Sequence, residues 1–392
     1  MTQAATNLMQ AAHQSMKAGD FATAEGLLLR HLAQDPQHIP SLLNLAASRR
    51  QLSNIAGAYQ ALREVLRIDP RHFRALLMVA TLRESEGGIR HAAFDYAKAI
   101  AQAPPEQYLD PPTLQALTRA REIHSRHTHE LNQFINDSVV DARSQCSRAE
   151  QRRLDIFIGT TLRTRKRYHQ EPTDYFYPGL PAIEFYEREE FPWLADFEAA
   201  TAEMQRELAI IVQQDEAGFQ PYIHYPDHLP LDQWRELNHS PRWTAFHFFD
   251  RGEPIEERWR RAPATVRALT LLPQPSVLRR SPTAMFSVLQ PKTHIPPHTG
   301  VANFRLVVHL PLIIPARCGF RVGGETREWR IGEAWVFDDT IEHEAWNDSD
   351  AIRIVFICDV WNPRLSEEER AAIAQVIAAT DAFNGTQTST QI

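Results

Sequence analysis

The spacing of apolar residues changes character along the chain. Up to about residue 162 they recur at the period of amphipathic helices. Beyond residue 280 they gather into short β-rich runs at 284–289, 304–314, 319–322, 334–337 and 352–360, with turn residues between them. Closely spaced strands without intervening helices predict a sandwich or jelly roll rather than a parallel sheet. Flanking helices are expected over 195–213 and 366–379, the second opening on Ser366-Glu-Glu-Glu369 with capping-box spacing.

The helical part repeats. Pro36, Pro70 and Pro104 stand 34 residues apart, and alanines precede each at two fixed offsets: Ala24, Ala58 and Ala92, then Ala12, Ala46 and Ala80. The period predicts three units, 5–38, 39–72 and 73–106, each a helix pair with alanines where the helices approach. Leu28, Leu62 and Tyr96 fill the matching large position. The prolines end each second helix, because a residue without an N–H cannot continue one. Gly19-Asp20 and Gly87-Gly88 mark turns between helices. The pattern resembles tetratricopeptide repeats, whose stacks bury together what one unit cannot bury alone. Such stacks present a groove to a peptide or protein partner, and the sequence leaves open whether these recruit a partner or brace a neighbouring domain.

Pro104-Pro105 and Pro111-Pro112 close the array, and 113–162 reads as a capping helix or helical pair carrying Leu114, Leu117, Leu131 and Ile135. His124, His127 and His129 lie close together, but no carboxylate or cysteine joins them at ligand spacing, so a solvated face is expected. The basic run Arg163-Thr-Arg165-Lys166-Arg167 reads as a linker, and Tyr175-Phe-Tyr-Pro-Gly179 as the entry to the next domain. The expected divisions are 5–106, repeats; 107–170, helical connector; 171–366, β-domain; and 367–392, a C-terminal helix and polar tail.

Composition narrows the function. With 392 residues, 43% of them hydrophobic, there is material for more than one buried core. A net charge of −7 argues against a general nucleic-acid binder. The longest apolar runs are about half of the ~20 residues a membrane span needs, and the first thirty residues lack a secretory pattern. Cys146, Cys318 and Cys358 form no CxxC, which disfavours a disulfide framework or a cysteine zinc site. A soluble cytoplasmic protein is expected.

The chemistry gathers near the C-terminus. His298 lies in Thr293-His-Ile-Pro-Pro-His298-Thr-Gly300, which reads as a tight loop between strands; His294 in the same stretch reads as a turn histidine bonded to backbone. His343 follows Phe337-Asp-Asp-Thr-Ile-Glu, and ten residues later Arg353 opens an apolar strand. A single arginine there needs an anionic partner, since an unpaired buried charge is costly.

His298-Thr-Gly300, His343 and Arg353 together resemble the metal and cosubstrate set of the aspartyl/asparaginyl β-hydroxylase family. The surrounding text agrees: Phe286-Ser-Val288, Thr299-Gly-x-x-Asn303-x-Arg305-Leu-x-x-His309-Leu310, Phe337-Asp-Asp339, Glu342-His-Glu-x-Trp346 and Asp359-Val-Trp-x-Pro363. The likeness is strongest over 281–366 and thinner over 175–280. It implies an α+β multidomain protein: a tetratricopeptide solenoid followed by a double-stranded β-helix (jelly-roll, cupin-like) using Fe(II), 2-oxoglutarate and O2. Animal members also place such repeats before the catalytic domain.

By that resemblance His298 and His343 bind the iron. Gly300 stands where HxD or HxE places the carboxylate of the usual facial triad; the family shares this glycine, and water fills the position. Asp339 would orient that water or, alternatively, cap the turn after a strand. Arg353 pairs with the distal carboxylate of 2-oxoglutarate, helped by Ser287, and His309 bonds the carboxylate nearer the metal. Arg305 addresses an acidic or polar substrate group. Val307 replaces a second arginine of animal members, which leaves the substrate open. Trp243, in Pro241-Arg-Trp243-Thr-Ala-Phe246, resembles a segment lining the site, whereas Trp335, Trp346 and Trp361 read as core or cleft wall.

The expected function is hydroxylation of an unactivated C–H, first the β-carbon of an Asp/Asn-type residue in a protein or peptide recruited by the repeats. The alternatives are the same chemistry on a free or carrier-bound amino acid or a lipid acyl chain, and a non-catalytic repeat adaptor. A zinc or manganese enzyme without 2-oxoglutarate is disfavoured by Arg353.

Overall fold

The computed structural model describes residues 3–214, 218–226, 228 and 230–384. The chain divides into two compact units, Met1–Ile158 and Gly159–Ile392. No described helix is long and apolar enough to cross a membrane.

The first unit opens with three helix pairs: α1 (Gln3–Lys17) with α2 (Phe21–Leu32), α3 (Ile39–Gln51) with α4 (Ile55–Ile68), and α5 (Phe73–Ser85) with α6 (Ile89–Ile100). The six periodic alanines are all 0–1% exposed, as are Leu28, Leu62 and Tyr96. These residues sit where the helices touch, so the pairs resemble the tetratricopeptide solenoid read from the period. Gly19 and Gly87 adopt φ of +79° and +81°, and the equivalent position in the second pair is Ser53 at +58°. Side-chain caps start two of the second helices: Asp20 accepts from Thr23 N at 3.0 Å, and Asn54 from Gly57 N at 2.9 Å. Beyond the pairs lie α7 (Pro111–Ser138), α8 (Val140–Ser144) and α9 (Arg148–Thr161). Ala120 and Ile123 of α7 pack with Leu77, Ala92 and Tyr96, so its first half covers the third pair.

The second unit is β-rich. Its strands are β1 (Gln220–Pro221), β2 (Trp243–His247), β3 (Phe249–Asp250), β4 (Glu253–Pro254), β5 (Ala284–Leu289), β6 (Thr293–His298), β7 (Arg305–Ile313), β8 (Cys318–Val322), β9 (Glu325–Arg327), β10 (Trp335–Phe337), β11 (His343–Asn347) and β12 (Arg353–Trp361). Its helices are α10 (Leu194–Ala199), α11 (Thr201–Gln214), α12 (Glu256–Arg261), α13 (Pro263–Leu269) and α14 (Glu367–Asn384). A six-stranded antiparallel sheet runs β1-β2-β5-β12-β7-β10 and a four-stranded one β6-β11-β8-β9, while β3 and β4 form a small ribbon. From β5 onward the chain passes back and forth between the two larger sheets. Among the described residues no ladder joins them, so the unit is a pair of sheets rather than a closed barrel.

The larger sheet uses its two faces differently. Phe286, Leu306, Val308, Leu310 and Phe356 pack on Leu194, Phe197, Met204 and Leu208 of α10 and α11. The alternate residues Leu289, Val307, Phe337 and Val355 meet Ile295, Phe320, Val322 and Ala345 of the smaller sheet. Strand periodicity of two separates the sets. Burial on both faces makes β7 and β12 read as nearly continuous apolar runs.

Three local expectations change. The stretch expected as a loop before His298 is strand β6, whose Pro296 and Pro297 are tolerated because it is an edge strand. The helix expected over 195–213 breaks at Ala200 into α10 and α11. His294 is no backbone-bonded turn residue: its Nε2 donates to Glu344 Oε2 on the neighbouring strand at 2.8 Å. The capping box is formed reciprocally, Ser366 N donating to Glu369 Oε2 at 2.7 Å and Glu369 N to Ser366 Oγ at 3.2 Å.

Candidate active site

His298 closes β6, His343 opens β11, and the two are direct cross-strand partners. Their rings lie 4.1 Å apart, centroid to centroid. His298 Nδ1 is 2.8 Å from Pro296 O, and His343 Nδ1 is 3.1 Å from Ile341 O. A carbonyl can only accept, so each Nδ1 carries the proton and each Nε2 keeps a lone pair. Burial pushes His298 down to about 3, with His343 adding to the effect, and pushes His343 down to about 4. Both imidazoles are neutral at pH 7, the form that binds a metal.

The inner face of the larger sheet lies opposite. Ser287 on β5 is cross-strand from Val355 and accepts a hydrogen bond from Trp243 Nε1 at 3.1 Å. Arg353, 1% exposed, has its guanidinium 4.5 Å over the ring of Trp329. Its Nε and Nη1 have no hydrogen-bond partner among the described residues, and burial lowers its pKa to about 10. His309 on β7 is likewise buried with an unpartnered Nδ1, held well below the ordinary imidazole range first by burial and then by Arg353. A cation and polar groups left unsatisfied in an apolar setting fit a small dicarboxylate.

Gly300 carries no carboxylate, yet one is nearby. A Cβ built on Gly300 would lie 2.0 Å from Asp339 Oδ2, so the aspartate fills the space a side chain at 300 would need. Asp339 Oδ2 accepts from Arg305 Nη2 at 3.1 Å, and its Oδ1 is buried without a partner among the described residues. The turn after β10 is held by Asp338 instead, whose Oδ1 accepts from Thr340 N at 3.0 Å and Thr340 Oγ1 at 2.6 Å. Arg305, expected to face substrate, is thus 5% exposed and paired within the protein. Among the described residues, no group of three or more His, Cys, Asp or Glu is placed to hold a metal. The donor set is two histidines, consistent with the glycine at 300.

Ser287, His298, Gly300, Arg305, His309, Asp339, His343, Arg353 and Trp243 all line one cleft of about 1660 Å³. The same cleft holds residues that sequence reasoning passed over. Tyr222 stacks on Trp243 with centroids 4.0 Å apart and rings within 17° of parallel. Trp234 meets His298 edge-on at 4.9 Å. Neither carries a motif; the turns that bring them in are set by packing.

The region that holds the cleft also matches known proteins. Residues 198–363 match the family model described as aspartyl/asparaginyl beta-hydroxylase. The chain is 36% identical over 149 residues to the Homo sapiens aspartyl/asparaginyl beta-hydroxylase, covering 38% of this chain but 19% of that protein. It is 31% identical over 194 residues to the Rhizobium tropici ornithine lipid ester-linked acyl 2-hydroxylase, covering 47% of this chain and 62% of the relative. The first TPR of Spaghetti (RPAP3) bound to an HSP90 peptide aligns with 32% of the chain and 95% of that structure at 18% identity, with a TM-score of 0.27. Through its family model and these relatives, the C-terminal region of the chain matches the aspartyl/asparaginyl beta-hydroxylase family.

Proposed function

We propose that the second unit is an Fe(II)- and 2-oxoglutarate-dependent oxygenase that hydroxylates an unactivated C–H, with a double-stranded β-helix as its framework. One observation supports this best: buried Arg353, with two N–H groups unpaired, shares a cleft with two neutral histidines whose Nδ1 protons are both committed to carbonyls. The alternation of β5 to β12 between two facing sheets supports the framework.

His298 and His343 would hold iron through Nε2. Iron with 2-oxoglutarate and O2 supplies oxidative decarboxylation to succinate and CO2, coupled to oxygen insertion into a C–H. Arg353 offers two parallel N–H bonds to the distal carboxylate, with Ser287 beside it, while His309 serves the carboxylate nearer the metal. Asp339 would orient a water in the position that Gly300 leaves without a carboxylate, and its bond to Arg305 fixes its orientation. Apolar walls, including Ile295, Phe320, Phe337 and Val307, limit water in the cleft.

The substrate we favour is an Asp/Asn-type residue in a protein or peptide, its chain recruited by the helical repeats. A second reading, an acyl chain or an amino acid, is favoured by Val307, Met285 and Ile357, which give the same cleft an apolar lining. A relative named for acyl hydroxylation points the same way.

The test is succinate formation by anaerobically reconstituted Fe(II) protein exposed to O2 with 2-oxoglutarate. Turnover that disappears in Arg353→Ala supports the oxygenase. No succinate and no 2-oxoglutarate binding by calorimetry would refute it and leave the adaptor.

A further inference from the structure

Trp234 belongs to no motif, yet it is the closest aromatic neighbour that the two histidines have apart from each other. Its ring lies 4.9 Å from His298 at 68°, against 5.8 and 5.9 Å from His343 to Phe337 and Phe320. Both phenylalanines are 2% exposed or less. A benzene ring is also harder to oxidise than an indole. Trp234 is half-buried and lines the same cleft as both histidines. Its backbone is fixed in a short turn, Trp234 N donating to Leu231 O at 2.7 Å while its own carbonyl accepts from Leu237 N and Asn238 N.

The cleft's other indole is more enclosed. Trp243 is 6.1 Å from Trp234, has Tyr222 stacked on it at 4.0 Å, and has its Nε1 tied to Ser287. An oxidant strong enough for an unactivated C–H attacks the nearest oxidisable group when nothing better is held in front of it. Resting on the oxygenase reading above, we propose that Trp234 is the built-in acceptor of that oxygen, so that turnover without substrate hydroxylates its indole.

The step balances. One 2-oxo acid loses CO2 and leaves as succinate with one oxygen atom of O2. The other oxygen enters an aromatic C–H of Trp234, whose hydrogen becomes the hydroxyl hydrogen. Two electrons from the 2-oxo acid and two from the C–H reduce O2 completely.

The full-length protein, loaded with Fe(II) and 2-oxoglutarate without added substrate, is exposed to isotopically heavy O2. Succinate is measured and the chain is digested with trypsin; cleavage after Arg235 and Arg242 puts Trp234 and Trp243 in separate peptides. The expected result is a one-oxygen increase, in heavy isotope, localised to Trp234 by fragmentation. It grows with succinate, is absent without 2-oxoglutarate, and is lost per succinate formed in Trp234→Phe. Succinate without this modification overturns the proposal. So does oxygen on Met285, Trp243 or Tyr222 in its place, or oxidation that needs no 2-oxoglutarate. Absence of succinate although 2-oxoglutarate binds by calorimetry overturns this proposal alone, since no oxygen is then spent without substrate; absence of both succinate and binding refutes the oxygenase reading itself.

Discussion

A side chain at residue 300 and the carboxylate of Asp339 compete for one space, since a Cβ there would come within 2.0 Å of Oδ2. Gly300→Asp, which restores the usual three-ligand motif on paper, is therefore expected to lower stability by about 1–3 kcal/mol through overpacking. Gly300→Asp with Asp339→Ala should recover much of that loss; thermal melts of the singles and the double form the cycle that checks it. Asp338 next door gives a pH prediction. Burial raises its pKa from 3.8 to about 6, despite hydrogen bonds from Thr340 and Gln170 that oppose the shift. Between those values the folded chain holds a proton that the unfolded chain releases, so this group's contribution to stability grows as pH falls through about 6 and levels off near 3.8. Melting of Asp338→Asn should lack that contribution. At this scale His298, His343 and Arg353 stood out in the sequence by their settings and spacing, whereas Ser287 and His309 were reached only through the family resemblance; the structure brings all five into one cleft. Trp234 and Tyr222, which line the cleft, and Trp329, which lies under the Arg353 guanidinium, were not legible, because the course of their segments is set by tertiary packing.

Helix pairs advertise themselves through a period, whereas strands at a sheet edge do not. The 34-residue spacing located all six repeat helices, and the alanine positions named the contacts. Strand β6 was read as a loop because Pro296 and Pro297 suppress the strand pattern, and only the ladder to β11 shows why they are allowed. Strand β2 was missed for a related reason: it is short, and its alternation is hidden by burial at Trp243, Thr244, Ala245 and Phe246. Within the second repeat, Ser53 holds a left-handed turn that glycine holds in the other two. Ser53→Gly is expected to stabilise the protein by about 1 kcal/mol, seen as a higher melting temperature. At the other end, Ser366→Ala removes one half of the α14 capping box and should cost about 1 kcal/mol. Chemical denaturation at unchanged m would confirm each.

Across the whole chain, Arg353 links the cleft to overall stability. A ligand that satisfies it and binds only the folded chain, present at a hundred times its Kd, adds about 2.7 kcal/mol. Added 2-oxoglutarate should accordingly raise the melting temperature of the Fe(II)-loaded protein, and Arg353→Ala should show no such rise. The change of apolar period separated a helical part from a β-rich part, but it did not show the pairing order of the sheets, since neighbours such as β12 and β5 are far apart in sequence. That order has a consequence for how this chain can change over time. Along β7, Leu306, Val308, Leu310 and Leu312 hold the helices, while Arg305, Val307 and His309 face the cleft. The demands of the framework and of the cleft lining thus fall on alternate letters of one stretch of text, and Val307 can change what the cleft presents without loosening the framework that carries it.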